Sequence, residues 1–168
     1  YNDFQQNMLL PQMYSRFGPA VAKGDLTGNG LDDIIVGGAM GFPSAIFYQT
    51  KLGEFYMDTT ELLAHKYFED AGIAIFDIDK DGKNDIFIAS GGNEYPQGNK
   101  VYTPRYYLNK GNRQFESLLI PFINQSSSVV RNIEIEGENF VFLGARLQPW
   151  NYPLSPKSYL LSFQNNKW

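Results

Sequence analysis

Two nine-residue acidic loops constrain this chain more than any other feature. They are Asp25-Leu26-Thr27-Gly28-Asn29-Gly30-Leu31-Asp32-Asp33 and Asp77-Ile78-Asp79-Lys80-Asp81-Gly82-Lys83-Asn84-Asp85. Both follow D-x-[D/N/T]-x-[D/N]-G-x-x-D, which sets oxygen-bearing side chains at alternate positions, as a hard cation requires. Gly30 and Gly82, at the sixth place, permit the sharp turn such a loop needs. Each loop then runs into an apolar, β-type segment, Ile34-Ile35-Val36 or Ile86-Phe87-Ile88. An EF-hand begins in the same way but closes with a bidentate Glu at position 12, between two helices. Here position 12 is Val36 or Ile88, and the closing carboxylate comes at position 9, as Asp33 and Asp85. The EF-hand reading fails on its last ligand and on its flanks.

The loops begin at 25 and 77, a period of 77 − 25 = 52 residues. Each follows a short apolar strand, Ala20-Val21-Ala22 or Ile73-Ala74-Ile75-Phe76, and each second strand ends at a glycine pair, Gly37-Gly38 or Gly91-Gly92. Third and fourth strands follow: Ala45 to Gln49 with Glu54 to Met57, then Arg105 to Leu108 with Gln114 to Leu118. Four short strands in a repeat of about fifty residues predict an all-β chain of four-stranded antiparallel propeller blades. Blade 1 is expected over about 18–58, blade 2 over about 70–120 and blade 3 over about 128–168. In the third repeat the acidic loop is replaced by a tight hairpin at Glu136-Gly137-Glu138, so blade 3 has lost its metal site. Between the first two repeats, Thr59 to Asp70 reads as a helical connecting turn, with Thr60 as N-cap and Leu62, Leu63 and Tyr67 on one face. Three blades cannot close a ring, since propellers have four to eight. The chain, which begins without Met or a signal-like segment, reads as a processed or truncated piece. Its ring needs further blades or a homo-oligomer, for instance two copies making six.

These residues resemble the FG-GAP/VCBS-type repeats, the calcium-bearing blades also found in integrin α-subunit propellers. More narrowly, Gly18-Pro19-Ala20-Val21-Ala22-Lys23-Gly24-Asp25, Glu69-Asp70-Ala71-Gly72-Ile73 and Asn151 to Leu160 resemble VCBS-repeat proteins of gut-type Bacteroidetes. The resemblance implies a calcium-binding propeller that is secreted or at the cell surface. It implies little about activity, because such propellers are scaffolds in many unrelated proteins. Thr27, Asn29 and the missing third loop depart from the pattern.

In the second loop Asp77, Asp79, Asp81 and Asp85 supply carboxylates and Lys83 a backbone carbonyl. In the first, the donors are Asp25, Thr27, Asn29, the Leu31 carbonyl and Asp33, with Asp32 facing solvent. The simple alternative is a solvated acidic turn, but four carboxylates this close repel one another without a cation. Two calcium sites are therefore expected, with Asp77–Asp85 the stronger because it carries more charge. Magnesium is disfavoured, since it demands a rigid octahedron and keeps its waters. A site filled with protein oxygens leaves little room for an activated water, so the metal is expected to be structural. Loss of Asp81 or Asp85 should lower thermal stability in calcium and change little in chelator.

A net charge of −4 speaks against nucleic acid, and no apolar run is long enough to span a membrane. The chain has no cysteine and one histidine, His65, which excludes thiolate and multi-His metal sites and disfavours a Ser-His-Asp triad. His65 reads as a surface or packing residue. Glu69, Glu94, Glu116, Glu134, Glu136 and Glu138 are not paired by any sequence pattern for glycoside hydrolysis. Gly37-Gly38 and Gly91-Gly92 lack the context of a phosphate loop. Tyr95, Tyr102, Trp150 and Tyr152 stand in loops and are candidates to stack on sugars or anchor a protein, against the plainer reading that they pack between blades. The resulting expectation is a calcium-stabilised extracellular module for protein or glycan binding, without catalysis. The alternative is the propeller part of a secreted polysaccharide lyase or hydrolase.

Overall fold

Apolar residues that alternate along short, turn-bounded segments favour strands with two distinct faces. The computed structural model describes residues 2–14 and 18–168, and among these it forms three antiparallel sheets with no α-helix. The first sheet runs β1 (Val21–Gly24), β2 (Asp33–Val36), β3 (Ala45–Lys51), β4 (Glu54–Asp58) in sequence order. The second repeats that order with β5 (Asp70–Phe76), β6 (Asp85–Ser90), β7 (Arg105–Gly111) and β8 (Gln114–Leu119). The third holds β9 (Val129–Ile135), β10 (Glu138–Gly144) and β11 (Tyr159–Ser162), with β10 central. This is the all-β architecture of successive propeller blades. The repeat extends to irregularities: the β3–β4 ladder shifts register between Gln49 and Lys51, and the β7–β8 ladder between Asn109 and Gly111. The β9–β10 hairpin turns through Glu136 and Gly137, both at positive φ, as a primed two-residue turn requires.

The sheets stack face to face through two apolar cores. Ile35, Ile46 and Tyr48 of the first sheet meet Ile73, Ile86, Ile88 and Tyr107 of the second. The other face of the second sheet, with Phe87, Ala89, Tyr106 and Leu108, meets Val130, Val141, Leu143 and Leu161 of the third. A strand covered on both sides has no polar face to keep, which is why β6 is buried at every residue. The first strands adjoin, β1 against β5 and β5 against β9, as strands lining a propeller axis do. Gly72 allows that approach: a Cβ there would stand 2.9 Å from the Val130 nitrogen.

Among the described residues, two sheet faces have no neighbouring sheet. Val21, Phe55 and Met57 are exposed on the outer face of the first sheet, and Ile133, Ile135 and Leu160 on that of the third. The segment before β5 corrects one expectation. It is a 3-10 turn at Leu63–His65 rather than a longer helix, and ahead of it Asp58, through Oδ1, accepts the Thr60 amide at 2.8 Å. Leu62 is buried there but Tyr67 is 61% exposed, so the two do not share an inward face.

Candidate metal centre

Both acidic loops join the first strand of a blade to the second, at the ends of β1 and β5. In the second loop, Asp77, Asp79 and Asp85 bring carboxylate oxygens within 4.8 Å of one another. Asp81 stands apart from that cluster, its Oδ2 held by Lys83 Nζ at 2.5 Å. The loop is wound by its own amides: Asp77 accepts from Asp81 at 3.1 Å and from Gly82 at 2.8 Å. Lys80 and Gly82 sit at positive φ, which sharpens the turn.

The first loop repeats the winding. Asp25 accepts the amides of Thr27, Gly28 and Asn29 through Oδ1 and that of Gly30 through Oδ2, at 2.6–3.2 Å. Its slight burial works to raise the Asp25 pKa, but these four bonds outweigh it and hold the carboxyl below its usual range. Asn29 Oδ1 accepts the Leu31 amide at 2.8 Å, and Asn29 Nδ2 donates to the Gln49 carbonyl at 2.8 Å. Thr27 Oγ1, at the third template position, is buried without a hydrogen-bond partner. Asp32 faces outward and pairs with Lys23.

The closing residues have a second role that the template does not announce. Asp85 is fully buried, accepting the Ile78 amide through Oδ2 and the Asn109 amide through Oδ1, each at 2.7 Å. Asp33 does the same with Leu26 and Gln49, each at 2.8 Å. The carboxylate continues the ladder where the second strand begins, tying loop, second strand and third strand together. Burial pushes the Asp85 carboxyl up to about 6 despite those bonds, with Asp79 and Asp77 adding to the rise. Asn109 carries the link to the preceding blade: Nδ2 donates to the Leu26 carbonyl there at 2.8 Å, and to the Asn84 carbonyl of its own blade at 2.9 Å. Gln49 and Asn109 hold equivalent places, each at the register shift of its ladder.

The donor set suits a hard divalent cation. Oxygens alone are available, three carboxylates converge in the second loop, and an orphaned hydroxyl lies in the first. Calcium held there would supply positive charge that offsets carboxylate repulsion and fixes the loop backbone.

At the opposite ends of the strands lie the loops that carry the aromatic candidates, between β6 and β7 and between β10 and β11. Tyr102 is fully buried, its hydroxyl donating to the Tyr95 carbonyl at 2.6 Å and accepting the Tyr95 amide at 3.0 Å. Its ring is committed to packing, which corrects its place among surface binding residues. Tyr95 and Trp150 are partly exposed, and Trp150 Nε1 donates to the Asn93 carbonyl at 3.1 Å. Tyr152 is half-buried, with its amide 3.4 Å from Asn7 Oδ1. His65 packs edge-on against Phe68 and Tyr107, and the Tyr107 hydroxyl lies 2.9 Å from Nδ1. Sequence reasoning missed the buried Asp70–Arg105 ion pair, whose partners lie 35 residues apart.

A family profile described as an FG-GAP-like repeat matches residues 25–88, spanning both acidic loops. The match supports an FG-GAP repeat protein with a β-propeller-like module. No curated protein matches the chain. No described helix is long and apolar enough to cross a membrane.

Proposed function

We propose that this FG-GAP repeat chain is a calcium-stabilised, extracellular propeller module that binds protein or glycan partners and does no chemistry of its own. The observation that carries the reading is the convergence of Asp77, Asp79 and Asp85 within 4.8 Å in a loop whose donors are all oxygens. Asp81 and the Lys83 carbonyl are the further donors of that site, and Asp25, Thr27, Asn29, the Leu31 carbonyl and Asp33 those of the weaker one. The ion staples the first and second strands of a blade. Because Asp85 and Asp33 also hold the third strand, ion binding reaches the whole sheet. A VCBS-type, secreted setting fits sites with affinities of roughly 10⁻⁴ to 10⁻³ M, the range of extracellular calcium modules.

The uncovered faces of the first and third sheets support association with further blades of the same kind, as more of a longer chain or as a second copy. Thermal melts of the intact chain in calcium and in chelator test the metal reading. Glycan-array and pull-down experiments, run beside lyase and hydrolase assays, test the binding reading; turnover of any polysaccharide overturns it.

A further inference from the structure

The two acidic loops are joined by hydrogen bonds. Asn84, at the eighth position of the second loop, donates through Nδ2 to the Asp25 carbonyl, at the first position of the other, at 2.9 Å. One residue on, the Leu26 carbonyl accepts Asn109 Nδ2 at 2.8 Å. The same Asn109 group also donates to the Asn84 carbonyl at 2.9 Å, which ties the two bridges together. A continuous chain of bonds therefore links the closing carboxylates. It runs from Asp85 Oδ1 to the Asn109 amide, through the Asn109 side chain to the Leu26 carbonyl, and from the Leu26 amide to Asp33 Oδ2. All four residues are buried, where water competes little for such bonds.

The grip recurs one blade further on. Asn139, the second residue of β10, donates through Nδ2 to the Asp77 carbonyl at 3.3 Å. There the donor stands beside a plain hairpin that needs no ion. The first loop, by contrast, is held by residues whose own order depends on the second loop.

That difference gives the contact a consequence. Asp77, Asp79 and Asp85 bring like charges within 4.8 Å, and without a cation their repulsion loosens the segment that carries Asn84. An ion there fixes Asn84 and Asn109 where they hold Asp25 and Leu26. The first loop, with only Asp25 and Asp33 as carboxylate donors, then loses less freedom when its own ion binds.

We propose that the two loops bind calcium cooperatively, an ion in loop 77–85 tightening the site in loop 25–33 through Asn84 and Asn109. This rests on the calcium reading and adds a coupling between its two sites. Neither asparagine supplies a ligand, so both are positioning residues. By reciprocity, an ion in the first loop tightens the second by the same factor.

Gly30 and Gly82 report the loops separately, since each amide donates to the first aspartate of its own loop, at 2.7 and 2.8 Å. The test is a calcium titration of the intact, isotope-labelled chain, followed by NMR at these two amides. It is run at about 0.15 M salt, where exposed charges more than roughly 8 Å apart are largely screened. Asp79→Asn, which delays filling of the second loop, should raise the calcium midpoint at Gly30 about fivefold or more, as ordinary coupling between sites does. Asn84→Ala, checked for a cooperative melt, should raise the Gly30 midpoint by itself and shrink the further effect of Asp79→Asn. Asn139→Ala should leave that effect in place.

A Gly30 midpoint that Asp79→Asn does not move overturns the coupling but leaves the calcium reading standing, because each loop then fills alone. An undiminished effect of Asp79→Asn in the Asn84→Ala background overturns the route, and with it the inference. No response at either glycine up to about 10 mM calcium, well above the affinities of extracellular modules, overturns the calcium reading and the coupling together.

Discussion

Asp85 reaches from the first residue of β6 to accept the Asn109 amide on β7 at 2.7 Å, from a position with no exposure to solvent. This bond is made between protein groups alone, which alters what the loss of each loop carboxylate should do. Asp85→Ala would orphan two buried amides, and each such group costs roughly 1–3 kcal/mol. The variant should therefore lose several kcal/mol in chelator as well as in calcium, contrary to the expectation from the template alone. Asp79→Asn keeps the oxygen that accepts the Asp81 amide at 3.2 Å and should lose just the calcium-dependent part. Paired melts of the two variants, in each condition, separate the two roles.

Asp70 and Arg105 are only 2% and 1% exposed at their side chains, and they join the start of β5 to β7. Asp70 Oδ2 also accepts the Gly38 amide at 2.9 Å and engages Ser44, both from the first blade. Arg105 stands 4.4 Å over the Phe68 ring. Removing one partner strands the other as an uncompensated buried charge, which costs about 3–5 kcal/mol. Asp70→Ala should lower the denaturant midpoint accordingly, and Asp70→Ala with Arg105→Met should recover part of the loss. Equal loss in the single and double variants would show that the charge pairing is not what matters.

Gly72 sets the spacing between the second and third blades. Added at this position, a Cβ would face backbone, the Val130 nitrogen at 2.9 Å, which cannot swing away. Gly72→Ala should destabilise by about 1–3 kcal/mol, the usual penalty for overpacking. Gly24→Ala meets the Ile75 side chain at 2.8 Å instead, which can change rotamer, and should cost less. Urea unfolding of both variants checks the order.

Glu69 makes stability depend on pH. In the unfolded chain it ionises near 4.5 and in the folded chain near 8, raised by burial first and then by Glu94, Asp3 and Asp70. Between those values the folded state holds a proton that the unfolded state has released. The contribution of Glu69 is therefore most favourable at the acid end and declines as pH rises toward 8, by at most about 1.4 kcal/mol per unit. Glu69→Gln should flatten the decline of midpoint between about pH 5.5 and 8, and a wild-type profile that rises across this window contradicts the assignment.

The repeat was legible in the sequence because it is local: each acidic loop, the strand after it and the turn chemistry lie within a few residues of one another. The replacement of the third loop by the Glu136-Gly137-Glu138 hairpin was legible for the same reason, since a glycine between two adjacent strand-forming runs marks a tight turn. What escaped are relations that only folding creates. Asp33 and Asp85 read as ligands, and nothing near them in the chain indicates that Gln49 and Asn109 need their oxygens. Tyr102 lies beside Pro and Asn like any loop aromatic, yet its hydroxyl closes on the Tyr95 backbone and takes it inside. Glu69 and Glu94, 94 − 69 = 25 residues apart, carry no pattern that pairs them.

The most direct measurement is the melting temperature of the intact chain in about 10 mM calcium, in the same concentration of magnesium and in chelator. With site affinities of roughly 10⁻⁴ to 10⁻³ M, calcium should add about 1–3 kcal/mol per site and raise Tm by several degrees. Magnesium should give much less, and Asp77→Asn with Asp79→Asn should remove most of the calcium gain. Superimposable melts in calcium and in chelator would contradict the account, because the two acidic loops would then be turns that hold no ion.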